Sequence, residues 1–138
     1  MSGFDTRAVH DGQEPDKETG AVIPPIVLST TFRQTEAGAL IGPYDYGRAG
    51  TPTRTSLEVQ VSSLENAQHG YAFASGLAAE DAVLRLIGAT DHLLIPDDAY
   101  GGTFRLIDKV HKPHGLQYSS VDFNNLEALK AAWRDDTK

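Results

Sequence analysis

The chain contains no cysteine in its 138 residues. Disulfides and thiolate metal sites are therefore excluded. It is also short of positive charge: 12 Lys and Arg stand against 19 Asp and Glu, a net charge of −7 at pH 7 with a pI near 5.0. No basic run offsets this balance, which argues against nucleic acid or an anionic membrane as a partner. Long hydrophobic runs are missing too. Nothing reaches the roughly 18 consecutive apolar residues of a membrane span. The opening Met1-Ser2-Gly3-Phe4-Asp5-Thr6-Arg7 does not read as a signal peptide. These absences set the expectation of a cytoplasmic protein. What is present is ordinary for a soluble globular chain: 40% hydrophobic and 22% charged residues. The length suits one domain of about the commonest size, or a piece of a larger one.

Residues 1–50 differ from the rest. Pro15, Pro24, Pro25 and Pro43 are interspersed with seven glycines, and apolar residues are scattered. Only a helical turn around Thr6–His10 and an extended piece at Val27–Phe32 are expected. Yet Ile23, Ile26, Val27, Leu28, Phe32, Leu40 and Ile41 favour burial, unlike the residues of a disordered linker. The expectation is an arm that packs on a neighbouring subunit. From Thr51 the pattern becomes regular. Thr51-Pro52 reads as the N-cap and first position of a helix. Leu57, Val61 and Leu64 follow at helical spacing. Then come an expected strand at 71–74, helix at 77–87, strand at 92–96, helix at 102–111, strand at 116–121 and helix at 124–133. This alternation predicts an α/β fold with a mostly parallel sheet. Three strands would leave both sheet edges exposed, and the alternation calls for a further strand. The domain expectation is thus an arm over 1–50 and, over 51–138, the front part of a larger α/β domain.

The stretch from Tyr71 to Arg105 carries the chemistry. Apolar Tyr71-Ala72-Phe73-Ala74 ends at Ser75-Gly76-Leu77, where a helical pattern starts. A strand, a glycine and a helix N-terminus together make an anion site: unpaired N–H groups point outward and glycine admits close approach. A second apolar run, Leu93-Leu94-Ile95, delivers Tyr100-Gly101-Gly102-Thr103 to the same expected sheet edge, where α/β proteins bind ligands. Plainer readings compete. Such a turn is a common structural device, Tyr100 could be a rim aromatic, and Arg48 a solvated charge. Arg105 could pair with Asp108 or another acid. Asp97-Asp98 could cap the next helix or tie down a loop. His10 reads as an arm contact. His111 and His114 are three apart, but Pro113 between them breaks the helix a metal site at that spacing would need.

Seven motifs in order resemble the N-terminal part of the Cys/Met-metabolism family of enzymes dependent on pyridoxal 5'-phosphate (PLP). They are Thr6-Arg7-Ala8-Val9-His10 with Gly12, Thr19-Gly20-Ala21-Val22-Ile23-Pro24-Pro25-Ile26, Ser29-Thr30-Thr31-Phe32, Tyr44-Asp45-Tyr46-Gly47-Arg48, Pro52-Thr53-Arg54, Phe73-Ala74-Ser75-Gly76-Leu77-Ala78-Ala79, and Pro96 through Arg105. The last run is most similar to actinobacterial cystathionine γ-synthases. The resemblance implies a fold type I, aspartate-aminotransferase-like large domain with an N-terminal arm. It implies that Ser75, Gly76 and Leu77 cup the PLP phosphate, with the backbone amides of Gly76 and Leu77 as donors. Tyr100 would stack on the pyridine ring and serve as a catalytic proton acceptor. Tyr46 and Arg48 would reach the phosphate from a neighbouring subunit. The implied activity of the complete protein is γ-replacement on an O-acylhomoserine by cysteine, with cystathionine or methionine γ-lyase as the alternative, in a homo-oligomer built from catalytic dimers, usually a tetramer.

Gly47, Thr51 and Leu77 depart from the residues usual in the family. A larger departure is that the family's Schiff-base Lys, its Asp on the pyridinium nitrogen and its Arg for the substrate carboxylate lie further along than this sequence runs. None of Lys17, Lys109, Lys112, Lys130 and Lys138 sits in the family's Ser-x-Thr-Lys context. The expectation is that this chain alone is inactive, needing the remaining C-terminal part, or else that it is a non-catalytic piece of a split enzyme.

Overall fold

The computed structural model describes residues 3–138. They fall into two compact units, Met1–Ala72 and Phe73–Lys138. The sequence break at 50/51 does not coincide with this division, because the helix that follows Thr51 belongs with the arm.

In the first unit, helix α1 spans Phe4–His10. A hairpin of β1 (Gln34–Glu36) and β2 (Ala39–Leu40) follows, paired antiparallel. Helix α2 runs from Pro52 to Leu64. Its start has a clear local cause: the Thr51 hydroxyl accepts from Arg54 N at 3.1 Å, and Pro52 occupies a position where a missing N–H costs nothing. Long-range polar bonds hold α1 and the irregular stretch to α2. Gln60 Nε2 donates to Ala8 O at 2.7 Å, and Val27 N donates to Thr53 Oγ1 at 2.8 Å. Ser56 Oγ donates to Gly12 O. Gly12 has φ +75°, and a Cβ there would overlap Ser56 O and stand 2.9 Å from Gln60 N. Only glycine lets the chain pass α2 this closely. The extended piece expected at Val27–Phe32 forms no strand; Thr31 alone makes an antiparallel bridge, with Tyr46.

The second unit opens with α3, Gly76–Leu84. Strand β3 (His92–Pro96) is followed by α4 (Gly101–Arg105), whose axis continues as a π-helical turn over Leu106–His111 and a 3-10 turn over Lys112–His114. Pro113 lacks the N–H a helix requires, and Gly115 at φ +107° reverses the chain. Strand β4 (Gln117–Val121) then pairs parallel with β3, His92 opposite Gln117 through Pro96 opposite Val121. Helix α5 (Leu126–Ala132) is capped by Asn125, which accepts from Ala128 N at 3.1 Å. Leu84, Ile95, Ile107 and Leu116 form the core, with Ile87, Leu93, Leu106 and Tyr118 around it.

The α/β fold with a parallel sheet is as expected, but the strand inventory needs correction. Residues 71–74 are not a strand among the described residues. A strand needs a ladder, and this extended piece has no partner here. The third contributor to the sheet is instead Thr137, bridged parallel to His92. His92 N donates to Asp136 O at 2.9 Å and Lys138 N donates to His92 O at 3.0 Å. The fully buried His92 ring joins all three segments, with Nδ1 2.8 Å from Thr137 Oγ1 and Nε2 2.9 Å from Ser119 Oγ.

Candidate functional site

At the start of α3 the Ser75 hydroxyl accepts from Ala78 N at 3.2 Å, satisfying one of the amides left over at a helix start. Among the described residues no protein acceptor meets the N–H of Gly76 or Leu77. A Cβ at Gly76 would meet nothing within 4 Å. The helix therefore begins with two unpaired donors facing open space, in the favourable field of its own dipole.

Helix α4 begins beside it. Thr103 Oγ1 donates to Glu80 Oε2 at 2.7 Å. Glu80 lies four residues after Gly76, on the same face of α3. This bond therefore ties the first turn of α4 to the face of α3 below the free amides. Tyr100 is the residue before α4, and its side chain caps nothing. Its ring lies over Gly102, which is buried, while Tyr100 itself is 74% exposed. One side of the ring is thus backed by protein and the rest is open.

Tyr46 and Arg48 form a pair of their own in the first unit. Their loop is pinned by backbone bonds: Phe32 N to Asp45 O at 2.9 Å, Gly47 N to Thr30 O at 2.7 Å and Gly50 N to Tyr46 O at 3.1 Å. Arg54 of α2 secures it from the other side, with Nη1 donating to Arg48 O at 3.1 Å. Gly47 is thus held by its neighbours. The Arg48 guanidinium carbon sits 5.3 Å from the centroid of the Tyr46 ring. Both side chains are exposed, and no carboxylate pairs with Arg48 among the described residues. An unpaired guanidinium held against an aromatic ring presents a planar fork suited to phosphate or carboxylate.

The structure thus brings Ser75, Gly76, Leu77 and Tyr100 together in one unit and places Tyr46 with Arg48 in the other. Other sequence expectations need correcting. Arg105 makes no ion pair with Asp108; that carboxylate takes Lys109 at 2.7 Å, Lys112 at 3.1 Å and the Tyr118 hydroxyl at 3.0 Å. These three donors hold Asp108 well below the usual carboxylate range, while burial, and then Asp108 itself, raises Tyr118. The π-helical turn brings Lys109 and Lys112 to the same carboxylate. Asp97 and Asp98 do not cap α4; Asp97 instead donates its backbone N–H to Val121 O at 3.0 Å. His111 pairs with Asp81 at 2.9 Å, and Asp81 is lowered by Arg85 first and His111 second. Among the described residues no group of three or more metal-ligating side chains gathers, and no helix is long and apolar enough to cross a membrane. Sequence reading missed Glu80 and Gly102. Glu80 sits at an unremarkable helix position, and its partner is 23 residues away.

Several known proteins are similar to this chain. Cystathionine β-lyase of Lactococcus lactis subsp. cremoris is 46% identical over 138 residues, all of this chain and 36% of that protein. Cystathionine γ-synthase of Mycobacterium tuberculosis is 49% identical over 133 residues, 96% of this chain and 34% of that protein. The crystal structure of metB from Corynebacterium glutamicum superposes with a TM-score of 0.93 at 45% identity, covering all of this chain and 36% of that one. That of cystathionine γ-lyase from Lactobacillus plantarum, complexed with L-serine, gives 0.88 at 44% identity over 99% of this chain and 35% of that one. The chain thus spans about 36% of the length of the curated relatives it matches. Residues 5–138 match the Cys/Met metabolism PLP-dependent enzymes, and the chain belongs to that family.

Proposed function

We propose that this chain is the N-terminal portion of a cystathionine γ-synthase, which replaces the γ-substituent of an O-acylhomoserine with the thiol of cysteine. The observation that supports its cofactor chemistry is the presence of two unpaired amides at the start of α3 and the open ring of Tyr100 at the start of α4; the likeness to the Mycobacterium tuberculosis γ-synthase favours the synthase reaction. The donor set fits PLP: the N–H groups of Gly76 and Leu77 suit a phosphate, and open space at Gly76 admits it. Bound there, PLP supplies an electron sink for carbanions at an amino acid's Cα and Cβ. The residues of this chain bind and orient. Gly76 and Leu77 anchor the phosphate through backbone N–H, with Ser75 shaping the turn. The Tyr100 ring fixes the cofactor plane at low entropy cost, and its Oη takes a proton from the incoming substrate amine. Tyr46 and Arg48 add charge and a hydroxyl to the phosphate of a neighbouring protomer's site, in an assembly of catalytic dimers.

The complete protein, with the lysine that holds PLP covalently, carries the activity; this chain alone is inactive. The exposed apolar side chains support a larger assembly. Ile26 (77%), Leu28 (88%), Tyr71 (77%) and Leu86 (85%) lie open to a degree that suits contact with further protein. In this reading the arm over residues 1–50 contacts a neighbouring subunit. The γ-lyase reaction remains the second reading, favoured by the likeness to the Lactobacillus plantarum enzyme. It would use the same contacts of this chain and differ in its product, a 2-oxo acid in place of cystathionine.

Two assays test this. The complete enzyme given an O-acylhomoserine and cysteine should form cystathionine; release of a 2-oxo acid without cystathionine would assign a lyase instead. Arg48→Ala should weaken PLP retention by about 1.5–3 kcal/mol, the value of a charged hydrogen bond. Unchanged retention in equilibrium dialysis would remove Arg48 from the site.

A further inference from the structure

Two adjacent glycines follow Tyr100, and they are not equivalent. A Cβ at Gly101 would meet only the Nη1 of Arg105, at 3.5 Å, an ordinary contact. A Cβ at Gly102 would overlap Cε1 of the Tyr100 ring and stand 3.0 Å from Cδ1 and 3.3 Å from Cζ. Gly102 lies inside α4 and is not among the glycines of positive φ. Its backbone therefore does not call for glycine; alanine would favour this helix more. The three atoms nearest to such a Cβ all belong to the ring, so the ring is the first thing that a side chain at 102 would meet. The ring itself is largely exposed, so a methyl group at 102 would displace it without disturbing the core. Thr103, the next residue, is tied to Glu80 of α3 at 2.7 Å, so the turn that carries Gly102 has a set position against the helix bearing the free amides.

We propose that Gly102 is a positioning residue: its bare Cα is the seat on which the Tyr100 ring rests, and it sets the plane the ring offers to the cofactor. This rests on the reading of Tyr100 as the PLP platform. The seat acts by leaving room. The ring is held back against the first turn of α4, and the pyridine ring takes the side left open.

The test uses the complete enzyme with Gly102→Ala, Tyr100→Ala and the double variant. PLP affinity is measured by dialysis, cofactor geometry by visible circular dichroism of bound PLP, and fold by thermal melting. Gly102→Ala should melt at or above the wild-type temperature yet weaken PLP binding about three- to tenfold, the range an aromatic contact carries, and change the visible dichroism. In the Tyr100→Ala background it should add nothing further. The crystal structure of the PLP-free Gly102→Ala variant should show the tyrosine ring swung off residue 102. Wild-type affinity and dichroism in Gly102→Ala, effects that add to those of Tyr100→Ala, a marked loss of melting temperature, or a ring still seated over the added methyl group would each overturn the proposal. Tyr100→Ala without any effect on PLP would remove the platform itself, and the seat with it. An effect of Tyr100→Ala with none of Gly102→Ala would overturn the seat alone.

Discussion

The two units of this chain are held together by different forces. Among residues 3–72 no side chain is fully buried, and the connections run through polar atoms: Gln60 to Ala8 O, Thr53 to Val27 N, Ser56 to Gly12 O. The second unit has a ladder and an apolar core of Leu84, Ile95, Ile107 and Leu116. Both present candidate phosphate ligands, but by different means. Gly76 and Leu77 offer backbone amides whose direction is set by a capped helix. Tyr46 and Arg48 offer side chains from a loop that backbone bonds pin at several points. A site made of main chain tolerates substitution; one made of side chains does not. In the proposed site Leu77 offers only its N–H, so its side chain is free to vary, whereas no other residue replaces a guanidinium fork.

The sharpest test of this contrast is Ile107→Ala. Ile107 is 1% exposed, and truncating such a core residue costs about 2–5 kcal/mol. Denaturant unfolding of the complete protein should register a loss of that size; a loss below about 1 kcal/mol would mean the second unit is not held by its apolar centre. Next comes Gly12→Ala in the first unit. It forces φ +75° on a residue with a Cβ and drives that Cβ into the α2 backbone. The expected cost is about 1–3 kcal/mol, again read by unfolding, together with faster proteolysis within residues 1–50. Wild-type stability would show that the arm does not depend on its close approach to α2. The smallest effect concerns Asp108. Its folded-state carboxyl is lowered by Lys109, Lys112 and Tyr118. A lowered carboxyl contributes stability above its unfolded value, about 3.9, and loses it as pH falls from there toward the folded value. The melting temperature of Asp108→Asn should therefore lie below wild type at neutral pH and converge on it as the pH falls below about 4. A difference that stays constant down to acid pH would show that the carboxylate charge plays no part.

Helix starts were legible because their causes are local. Thr51-Pro52 and Ser75 cap α2 and α3 as their residue types require. Strand β3 was legible from its short apolar run Leu93-Leu94-Ile95, and β4, which is mostly polar, from its place in the alternation of strands and helices. The stretch 71–74 looked the same and is not a strand, since pairing depends on a partner that no local pattern reveals. The hairpin at Gln34–Leu40 escaped notice because its strands are three and two residues long and carry no alternation. The sequence named Tyr100 and Gly76 as site residues, but it could not show Glu80 gripping Thr103 or Gly102 lying beneath the ring. The first contact depends on how α3 and α4 meet, and the second on the direction the Tyr100 ring takes at the start of α4.

The sequence by itself determined the α/β alternation, the helix caps, the family and the residue types that suit a phosphate and a flat cofactor. These follow from spacing and side-chain chemistry, which act over a few residues. Only the tertiary structure decided that His92 is locked between Ser119 and Thr137, that α2 belongs with the arm, and that the second of two glycines seats the tyrosine. Each of these is a distance between atoms that the linear order of residues does not set, and such distances exist only once the chain has packed.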